Sequence, residues 1–135
     1  MSSEEELRAV YPLMRLLRDR ITPETFAAEV RAQQAQGYEL IAGFDAGAPL
    51  VLAGIRRAHT LSRGAHLFVD DLVTAEPSRG RGHGRAMLAH LASLARAEGL
   101  PRVYLDARLT AKRFYEQLGF TFLTSVPCWI EADRL

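Results

Sequence analysis

The feature that most restricts the fold is a glycine-rich segment between an apolar run and an amphipathic run. Residues 79–84, Arg-Gly-Arg-Gly-His-Gly, follow an apolar stretch at residues 66–74 that is typical of a strand. Behind the segment, five apolar residues recur at helical spacing: Met87, Leu88, Leu91, Leu94 and Ala95. This helix is expected to stop at Gly99, and a short apolar run follows at residues 103–105. Strand, loop, helix and strand in this order predict a right-handed crossover between two parallel strands.

The first third of the chain predicts two helices. Ser3 and Glu6 have the spacing of a capping box, and apolar residues recur at helical intervals behind them: Leu7, Val10, Tyr11, Met14 and Leu17. Pro12 is expected to kink or interrupt this helix because proline lacks an amide hydrogen. Residues 22–23, Thr-Pro, form a second helix start, and Gly37 is suited to its stop.

The pattern between the second helix and the glycine-rich segment is that of strands. Residues 38–44 and 50–55 are apolar runs separated by turn residues, which predicts an antiparallel hairpin that the strand at 66–74 extends. A short helix at 111–118 and one further strand or hairpin within 121–130 complete the order. The expected fold is α/β, with a mixed and largely antiparallel sheet, flanking helices and a single domain over the whole chain.

Length and charge exclude several classes of protein. A chain of 135 residues has the usual size of one domain, and a net charge of +1 gives no general attraction to nucleic acid or to a membrane surface. The acidic start does not resemble a secretion signal, and no apolar run approaches the ~20 residues that span a bilayer. Cys128 has no partner for a disulfide, and no cluster of cysteine and histidine has metal-ligand spacing. We therefore expect a cytoplasmic protein without a metal.

The glycine-rich segment is a candidate anion site. It lies at the start of a predicted helix, where unpaired backbone amides and the helix dipole favour a phosphate, and glycine lets the anion approach those amides. Arg79, Arg81 and Arg85 add positive charge; the alternative is a glycine-rich turn with solvated arginines. A Walker loop would continue Gly-Lys-Ser/Thr, and a dinucleotide-binding fingerprint from Gly80 would need a glycine at position 85. Neither motif fits.

Three segments resemble the GCN5-related N-acetyltransferase (GNAT) family. Residues 79–84 resemble its Gln/Arg-x-x-Gly-x-Gly/Ala motif, and residues 69–74, Val-Asp-Asp-Leu-Val-Thr, resemble its fourth strand. Residues 114–120, Phe-Tyr-Glu-Gln-Leu-Gly-Phe, resemble its C-terminal motif. The resemblance implies acetyl-CoA as cosubstrate and a sheet that is splayed between the strands at 66–74 and 103–106, although no obvious version of the family's first strand precedes the helices.

The resemblance also implies a set of cofactor-binding residues. The backbone of one strand would pair with pantetheine (Leu72, Val73 and Thr74), and the glycine-rich segment would hold the diphosphate (Arg79, Gly80, Arg81, Gly82, His83, Gly84 and Arg85). Phe114 would pack near the thioester. Many members carry an asparagine four residues before the tyrosine of the C-terminal motif. That position is Ala111 here, so this contact is expected to be lost or supplied by Thr110 or a backbone group.

Amide formation requires a proton acceptor for the amine, stabilisation of the oxyanion and an acid for the thiolate. Tyr115 matches the family's proton donor to the thiolate; the alternative is a core tyrosine. Asp70 and Asp71 lie mid-strand, where alternation predicts opposite faces, so that one of them faces the cleft and attracts the amine. The alternative is an edge charge or a salt bridge to an arginine. The oxyanion donor is expected to be a backbone amide near Leu72 or Val73.

The remaining reactive side chains are less informative. His83 is expected to be exposed rather than catalytic, and the other three histidines to be structural or on the surface: His59, His66 and His90. Cys128 beside Trp129 indicates packing in a closing strand, and a covalent acetyl-cysteine route lacks a recognisable base beside the thiol.

The sequence therefore predicts transfer of an acetyl group from acetyl-CoA to a primary amine by direct transfer in a ternary complex. A small-molecule amine is the expected acceptor, a protein amine stays open, and the protein is expected to be a monomer or a homodimer. The alternative function is a non-catalytic acyl-CoA-binding or sensor module, which Ala111 favours and Tyr115 opposes.

Overall fold

A computed structural model describes residues 3–135. Its α-helices are α1 (Glu4–Leu17), α2 (Pro23–Gln34), α3 (His83–Ala97) and α4 (Lys112–Gln117). Its strands are β1 (Glu39–Asp45), β2 (Ala48–Thr60), β3 (Gly64–Thr74) and β4 (Val103–Leu105). Short 3₁₀ turns lie at Glu76–Ser78, Leu109–Ala111 and Ala132–Arg134.

The four strands form one mixed sheet in the order β1-β2-β3-β4. Strand β2 pairs antiparallel with both β1 and β3, and β4 is parallel to β3 because the chain crosses over through α3. The prediction of an α/β fold with a mixed, largely antiparallel sheet is confirmed.

Helices cover both faces of the sheet. On one face, α1 and α2 pack against a core that includes Leu40, Leu52 and Val73. On the other face, α3 packs against the second core, which includes Ile55 and Val69. None of the helices within residues 3–135 is long and apolar enough to cross a membrane.

Helix α1 begins at the predicted capping box, in which the Ser3 side chain accepts from the Glu6 amide and the Glu6 side chain accepts from the Ser3 amide. Pro12 does not interrupt this helix. Pro12 and Arg8 are both exposed, so the carbonyl that loses its intrahelical donor faces water. The buried stripe of α1 continues past this point to Met14, and the helix ends beside the sheet at Arg18.

The predicted strand or hairpin within residues 121–130 is wrong. This segment contains no strand and is exposed throughout, with Trp129 at 85 % of its full accessibility. Strand β4 offers three residues for pairing, and Pro127 removes an amide donor from the middle of the segment. The expected packing of Cys128 is wrong for the same reason, because its side chain is exposed.

Candidate active site

The sheet opens between β3 and β4. The two strands pair over three residues, ending at Val69 and Leu105, and they diverge beyond that point. A cavity of about 650 Å³ fills the gap, lined by β3 residues from Phe68 to Thr74 other than Asp71 and by residues of the segment from Leu105 to Tyr115. The edge of β3 that faces this cavity is therefore not paired with β4 from Asp70 onward, which leaves room for an extended ligand to lie along it.

The glycine-rich segment lies beside this gap, next to the end of β3 at Thr74, and leads into helix α3. Gly80 and Gly82 have φ angles of 81° and 82°, a left-handed conformation that glycine adopts at little cost. Gly82 is the N-cap of α3 and has no side chain to cap it. Among the residues that the structure describes, the amides of His83, Gly84 and Arg85 have no hydrogen-bond acceptor. Free donors at a helix start, together with the helix dipole, are suited to an anion.

A cavity of about 440 Å³ lies over these amides, and its lining includes most of the predicted loop residues. They are Arg79, Gly80, Gly82, His83, Gly84 and Arg85. Arg81 does not line it and is exposed. A Cβ atom at Gly84 would lie 3.6 Å from both the Phe114 ring and the Thr74 hydroxyl, so the loop, β3 and α4 converge here.

Tyr115 lies on α4 between the two cavities. Its ring packs edge-on against Phe114 and Phe120, with centroid distances of 5.0 and 5.2 Å. Within residues 3–135 its hydroxyl has no protein partner, and no buried side-chain oxygen is left unpaired, so the hydroxyl is open to the cleft that the ring lines. Burial raises the pKa of Tyr115 above its usual value of 10.0. The group is therefore a neutral phenol that can donate a proton.

Ala111, four residues before Tyr115, lines the cavity in the gap between β3 and β4. Thr110 is exposed and does not line this cavity. The two residues belong to the 3₁₀ turn Leu109–Ala111 that precedes α4. The predicted substitute contact from the Thr110 side chain therefore has no support in this geometry.

A β-bulge places the two aspartates on the same face of β3. Gly54 pairs with Asp71 and Ile55 pairs with Val69, so Asp70 is an extra residue without a partner in the ladder. The bulge reverses the alternation, because Val69 packs on the α3 side of the sheet and Val73 packs on the α1 and α2 side. The prediction of opposite faces is wrong for this reason, and both aspartates point toward α1 and α2.

Each aspartate is paired with an arginine. Arg56 donates from Nε and Nη2 to the two carboxylate oxygens of Asp70, at 2.6 and 2.8 Å. Arg18 donates from Nε and Nη2 to Oδ1 of Asp71, at 3.0 and 2.8 Å, and also from Nη2 to the backbone carbonyl of Asp70 at 3.0 Å. Both carboxylates are therefore held in charge-assisted hydrogen bonds, as the salt-bridge alternative foresees.

Tyr38 completes the network from the first residue before β1. Its hydroxyl donates to Oδ2 of Asp71 at 2.6 Å. Burial, followed by the nearby Asp71 carboxylate, raises the pKa of Tyr38 far above its usual value of 10.0. The Tyr38 phenol is therefore protonated at neutral pH and is the donor in this bond. Asp71 is the more enclosed of the two aspartates, with 11 % of its side chain exposed compared with 27 % for Asp70.

A third cavity, of about 730 Å³, lies under α1 and α2 beside this network. Apolar residues and charged residues both line it, among them Met14, Phe26, Arg20, Glu29 and both aspartates. Arg18 and Asp70 line this cavity and also the gap between β3 and β4. The gap in turn shares Thr74, Arg79 and Tyr115 with the cavity over the glycine-rich segment. The three cavities thus adjoin one another in sequence along one cleft.

Comparisons with known proteins agree with this geometry. The sequence model of the acetyltransferase (GNAT) family matches residues 8–120. The uncharacterized N-acetyltransferase YhdJ of Bacillus subtilis is 35% identical over 126 residues, which cover 90% of this chain and 89% of the relative. The chain belongs to the acetyltransferase (GNAT) family. Its activity class is therefore acetyl-CoA-dependent N-acetyl transfer.

Solved GNAT structures share the fold at low sequence identity. The aminoglycoside N-acetyltransferase AAC(6′)-Iy in complex with CoA has a TM-score of 0.82 and 15% identity, covering 96% of this chain and 91% of that one. Glucosamine-6-phosphate N-acetyltransferase from Arabidopsis thaliana has a TM-score of 0.76 and 19% identity, covering 97% and 95%. The expected GNAT fold is confirmed. The sheet opens between β3 and β4, but β4 is an edge strand of the four-stranded sheet that residues 3–135 form, and not a central one.

Three of the four histidines of this GNAT protein line none of the three cavities of the cleft. His66 is buried, and its ring packs against Tyr104 while Nδ1 lies 2.8 Å from the Gly64 carbonyl. His59 and His90 are exposed, and His83 is half-buried at the rim of the loop cavity. Among the described residues, no group of three or more histidine, cysteine, aspartate and glutamate side chains could hold a metal ion.

Sequence reasoning missed Arg18, Tyr38 and Arg56. Arg18 lies 53 residues from Asp71 along the chain, so no local pattern links the two. One signal was available, because a glycine inside a strand is typical of a bulge or a close approach, and Gly54 stands opposite Asp71. A Cβ atom at Gly54 would overlap the Tyr38 hydroxyl, so the missing side chain makes the space that this hydroxyl occupies.

Proposed function

We propose that this protein transfers the acetyl group of acetyl-CoA to a primary amine, most suitably that of a small molecule, by direct transfer in a ternary complex. The observation that carries the proposal is the continuity of the cleft. Free amides at the start of α3, the open edge of β3, the Tyr115 hydroxyl and the cavity under α1 and α2 follow one another without interruption. Such an order presents the two substrates to each other end to end.

The glycine-rich segment and β3 fit the cosubstrate. The amides of His83, Gly84 and Arg85 are free to bind a diphosphate, and Arg79 reaches along the cleft, donating from Nε to the Thr74 carbonyl at 3.4 Å. The backbone of Leu72, Val73 and Thr74 would pair with the amides of pantetheine, and Phe114 would pack near the thioester. When bound, acetyl-CoA supplies an acyl group activated by a thiol leaving group. A backbone amide near Leu72 or Val73 would stabilise the negative charge that develops on the acyl oxygen.

Asp70 is the carboxylate that we assign to the amine. It lines both the acceptor cavity and the gap between the strands, whereas Asp71 lines the acceptor cavity alone. Asp70 is also the more exposed of the two, so it is the better placed to attract a protonated amine and to take its proton, directly or through water. The neutral amine nitrogen then forms the bond to the acyl carbon. The second proton that the nitrogen loses as the amide forms passes to solvent, and so does the proton held by Asp70.

Tyr115 is the group that we assign to protonate the leaving thiolate. As the bond from carbon to sulfur breaks, the phenol donates its proton to the departing sulfur and is reprotonated by solvent. The raised pKa of Tyr115 keeps this proton in place through the neutral and mildly alkaline range. No enzyme nucleophile is needed, because the amine attacks the acyl group directly.

The acceptor cavity of about 730 Å³ suits a small molecule. Two structural relatives act, by their names, on glucosamine 6-phosphate and on aminoglycosides, which are small amines. We propose that a single domain carries the whole site, since its residues extend from α1 to the end of α4. An amine on a protein would have to reach the same cavity as an extended chain.

The proposal is tested by measuring thiol release from acetyl-CoA with a panel of primary amines. We expect turnover by the wild type, and a 10- to 100-fold lower kcat for Tyr115→Phe with CoA affinity within about threefold, on the scale of general acid catalysis. Since the active form is the protonated phenol with a raised pKa, kcat should fall on the alkaline side above pH ~10, and this fall should be absent in the variant.

Tyr104→Phe is the matched control, because Tyr104 lies on β4 outside the cleft and its hydroxyl contacts Arg102. This variant should keep the wild-type kcat. Turnover that is unchanged in Tyr115→Phe, or tight CoA binding with no turnover on any amine, would contradict the proposed mechanism; the second result would support an acyl-CoA-binding module.

A further inference from the structure

We propose that Arg18, Tyr38 and Asp71 act together as a clamp that fixes the β-bulge at Asp70 and so positions the reacting edge of β3. Arg18 is the central member, since it contacts both the bulge backbone and the Asp71 side chain. The inference rests on the proposed function in one respect, namely that β3 and Asp70 face the two substrates. The three members are positioning residues, not catalytic ones.

The bulge creates a backbone group that needs a partner. Asp70 is the inserted residue, and it has no counterpart on β2 and none on β4. Its carbonyl accepts a hydrogen bond from Nη2 of Arg18 at 3.0 Å. A ladder interrupted by an extra residue leaves such groups unpaired unless a side chain reaches them. Arg18 therefore supplies from α1 the bond that the sheet cannot supply.

Asp71 and Tyr38 hold Arg18 in the orientation that this bond requires. Oδ1 of Asp71 accepts from two nitrogens of Arg18, and Oδ2 accepts from the Tyr38 hydroxyl. Both carboxylate oxygens are thus engaged, and the guanidinium plane is fixed by a fork of two bonds. Gly54 is part of the same arrangement, because any side chain there would displace the Tyr38 hydroxyl.

The clamp lies at the point where β3 and β4 separate, so it can control the direction of β3 beyond that point. The last pair between β3 and β4 is Val69 with Leu105, one residue before the bulge, so the bulge marks the point where the sheet opens. Bulges increase local twist and redirect the following residues. A bulge held rigidly fixes the direction of the backbone at Leu72 to Thr74 and of the Asp70 carboxylate, which Arg56 holds separately. The clamp also joins α1, one wall of the acceptor cavity, to the edge that receives the thioester.

Loss of the clamp should lower kcat and leave CoA affinity nearly unchanged. The diphosphate site at the start of α3 contains no member of the clamp, so CoA affinity should depend little on it. Positioning of the acyl carbon against the amine should depend on it strongly, because misplacement by about 1 Å can cost on the order of 100-fold in rate. A residue that merely stabilises the fold would instead lower the melting temperature and leave the kcat of the folded protein unchanged.

The experiment compares Arg18→Gln, Arg18→Lys and Tyr38→Phe with the wild type. We expect kcat to fall about 10- to 100-fold in Arg18→Gln and by less in Tyr38→Phe, with the CoA dissociation constant within about threefold of wild type in both. Arg18→Lys restores the charge without the planar fork and should recover only part of the rate. The double variant of Arg18→Gln and Tyr38→Phe should be no slower than Arg18→Gln, since the two residues act through one carboxylate.

Arg57→Gln is the matched control. Arg57 also lies on the sheet and donates to two carboxylates, those of Glu39 and Glu98, but it lines none of the three cavities of the cleft. This variant should lose thermal stability and keep its kcat. The inference is overturned if Arg18→Gln, like Arg57→Gln, loses thermal stability but keeps its kcat. It is also overturned if Arg18→Gln and Tyr38→Phe reduce kcat additively in the double variant.

Hydrogen exchange separates failure of the inference from failure of the proposed function, because it needs no turnover. We expect amide exchange within β3 at Asp70 to Val73 to be at least fivefold faster in Arg18→Gln than in Arg57→Gln, with exchange in α3 unchanged. Equal exchange in the two variants would reject the clamp even for a protein that acetylates none of the amines tested. Faster exchange together with an inactive wild type would retain the clamp and reject the acetyl-transfer assignment.

Discussion

The two halves of the cleft are built in opposite ways. The proposed cofactor half is made of backbone, with glycines at φ angles near +80° and amides at the start of α3 that donate to no group within residues 3–135. The acceptor half is made of side chains that satisfy one another, since Arg18, Arg56 and Tyr38 engage both aspartates. A site of free backbone donors can bind any ligand with a diphosphate, whereas a site of paired side chains fixes geometry and leaves few groups free for affinity. Substitutions in the two halves should therefore separate binding from rate.

The largest effect is expected at the cofactor half. Gly82→Asp introduces a residue that strains at a φ angle of 82° and a carboxylate that faces the diphosphate site, so CoA affinity should fall by at least about 100-fold. Isothermal titration with CoA measures this loss, and far-UV circular dichroism checks that the fold is retained. Gly47→Asp is the control, because Gly47 has a similar φ angle of 80° but lies in the turn between β1 and β2.

This comparison fails if Gly82→Asp binds CoA as tightly as Gly47→Asp does. Such a result would mean that the amides at the start of α3 contribute little, and the assignment of the loop to the diphosphate would be withdrawn. Binding by Gly82→Asp that is lost as the salt concentration rises would point to the arginines around the loop in place of its backbone.

The acceptor half should show the opposite signature. Asp70→Asn keeps the shape of the side chain but removes the charge that attracts the amine and accepts its proton, so kcat/KM for the amine should fall about 10- to 100-fold. CoA affinity should stay within about twofold, because Asp70 does not line the cavity over the loop. Steady-state kinetics with both substrates varied measures the two effects separately.

Asp45→Asn serves as the control, since Asp45 is exposed at the end of β1 and outside the cleft. A normal rate in Asp70→Asn would transfer the role of proton acceptor to another group. If Asp71→Asn then lost the rate while keeping the exchange pattern of β3, Asp71 would be the proton acceptor and the proposed assignment of the two aspartates would be reversed.

The same contrast explains what the sequence could predict. The proposed phosphate site depends on local chemistry, a strand followed by glycines and a helix start, so the sequence alone predicts it at residues 79–85. The acceptor half depends on contacts between Arg18 and residues 52 and 53 positions later, which no local pattern encodes. Gly54 was the one signal of the bulge; the residues of β3 around Asp70 are apolar on both faces, so their pattern does not show where the alternation reverses.

The continuity of α1 at Pro12 and the missing strand in the tail have physical causes as well. Local propensity argued for a break at Pro12, but packing of the buried stripe of α1 outweighs one missing hydrogen bond on the exposed side. The tail has the composition of a strand, yet a strand needs an edge to pair with, and β4 offers three residues. Propensity shows what a segment can form, and the neighbouring elements decide whether it does.

The smallest effect is expected where the two halves meet at Ala111. This residue lines the gap between β3 and β4, at the position where many members of the family carry asparagine. Ala111→Asn adds one amide near the cosubstrate and should tighten CoA binding by about two- to tenfold, the scale of one added hydrogen bond. Ala28→Asn, on the exposed face of α2, is the control and should leave the affinity unchanged. If Ala111→Asn weakens binding instead, the cleft has closed around alanine, and the cosubstrate is held there by contact with the methyl group or the backbone of the turn.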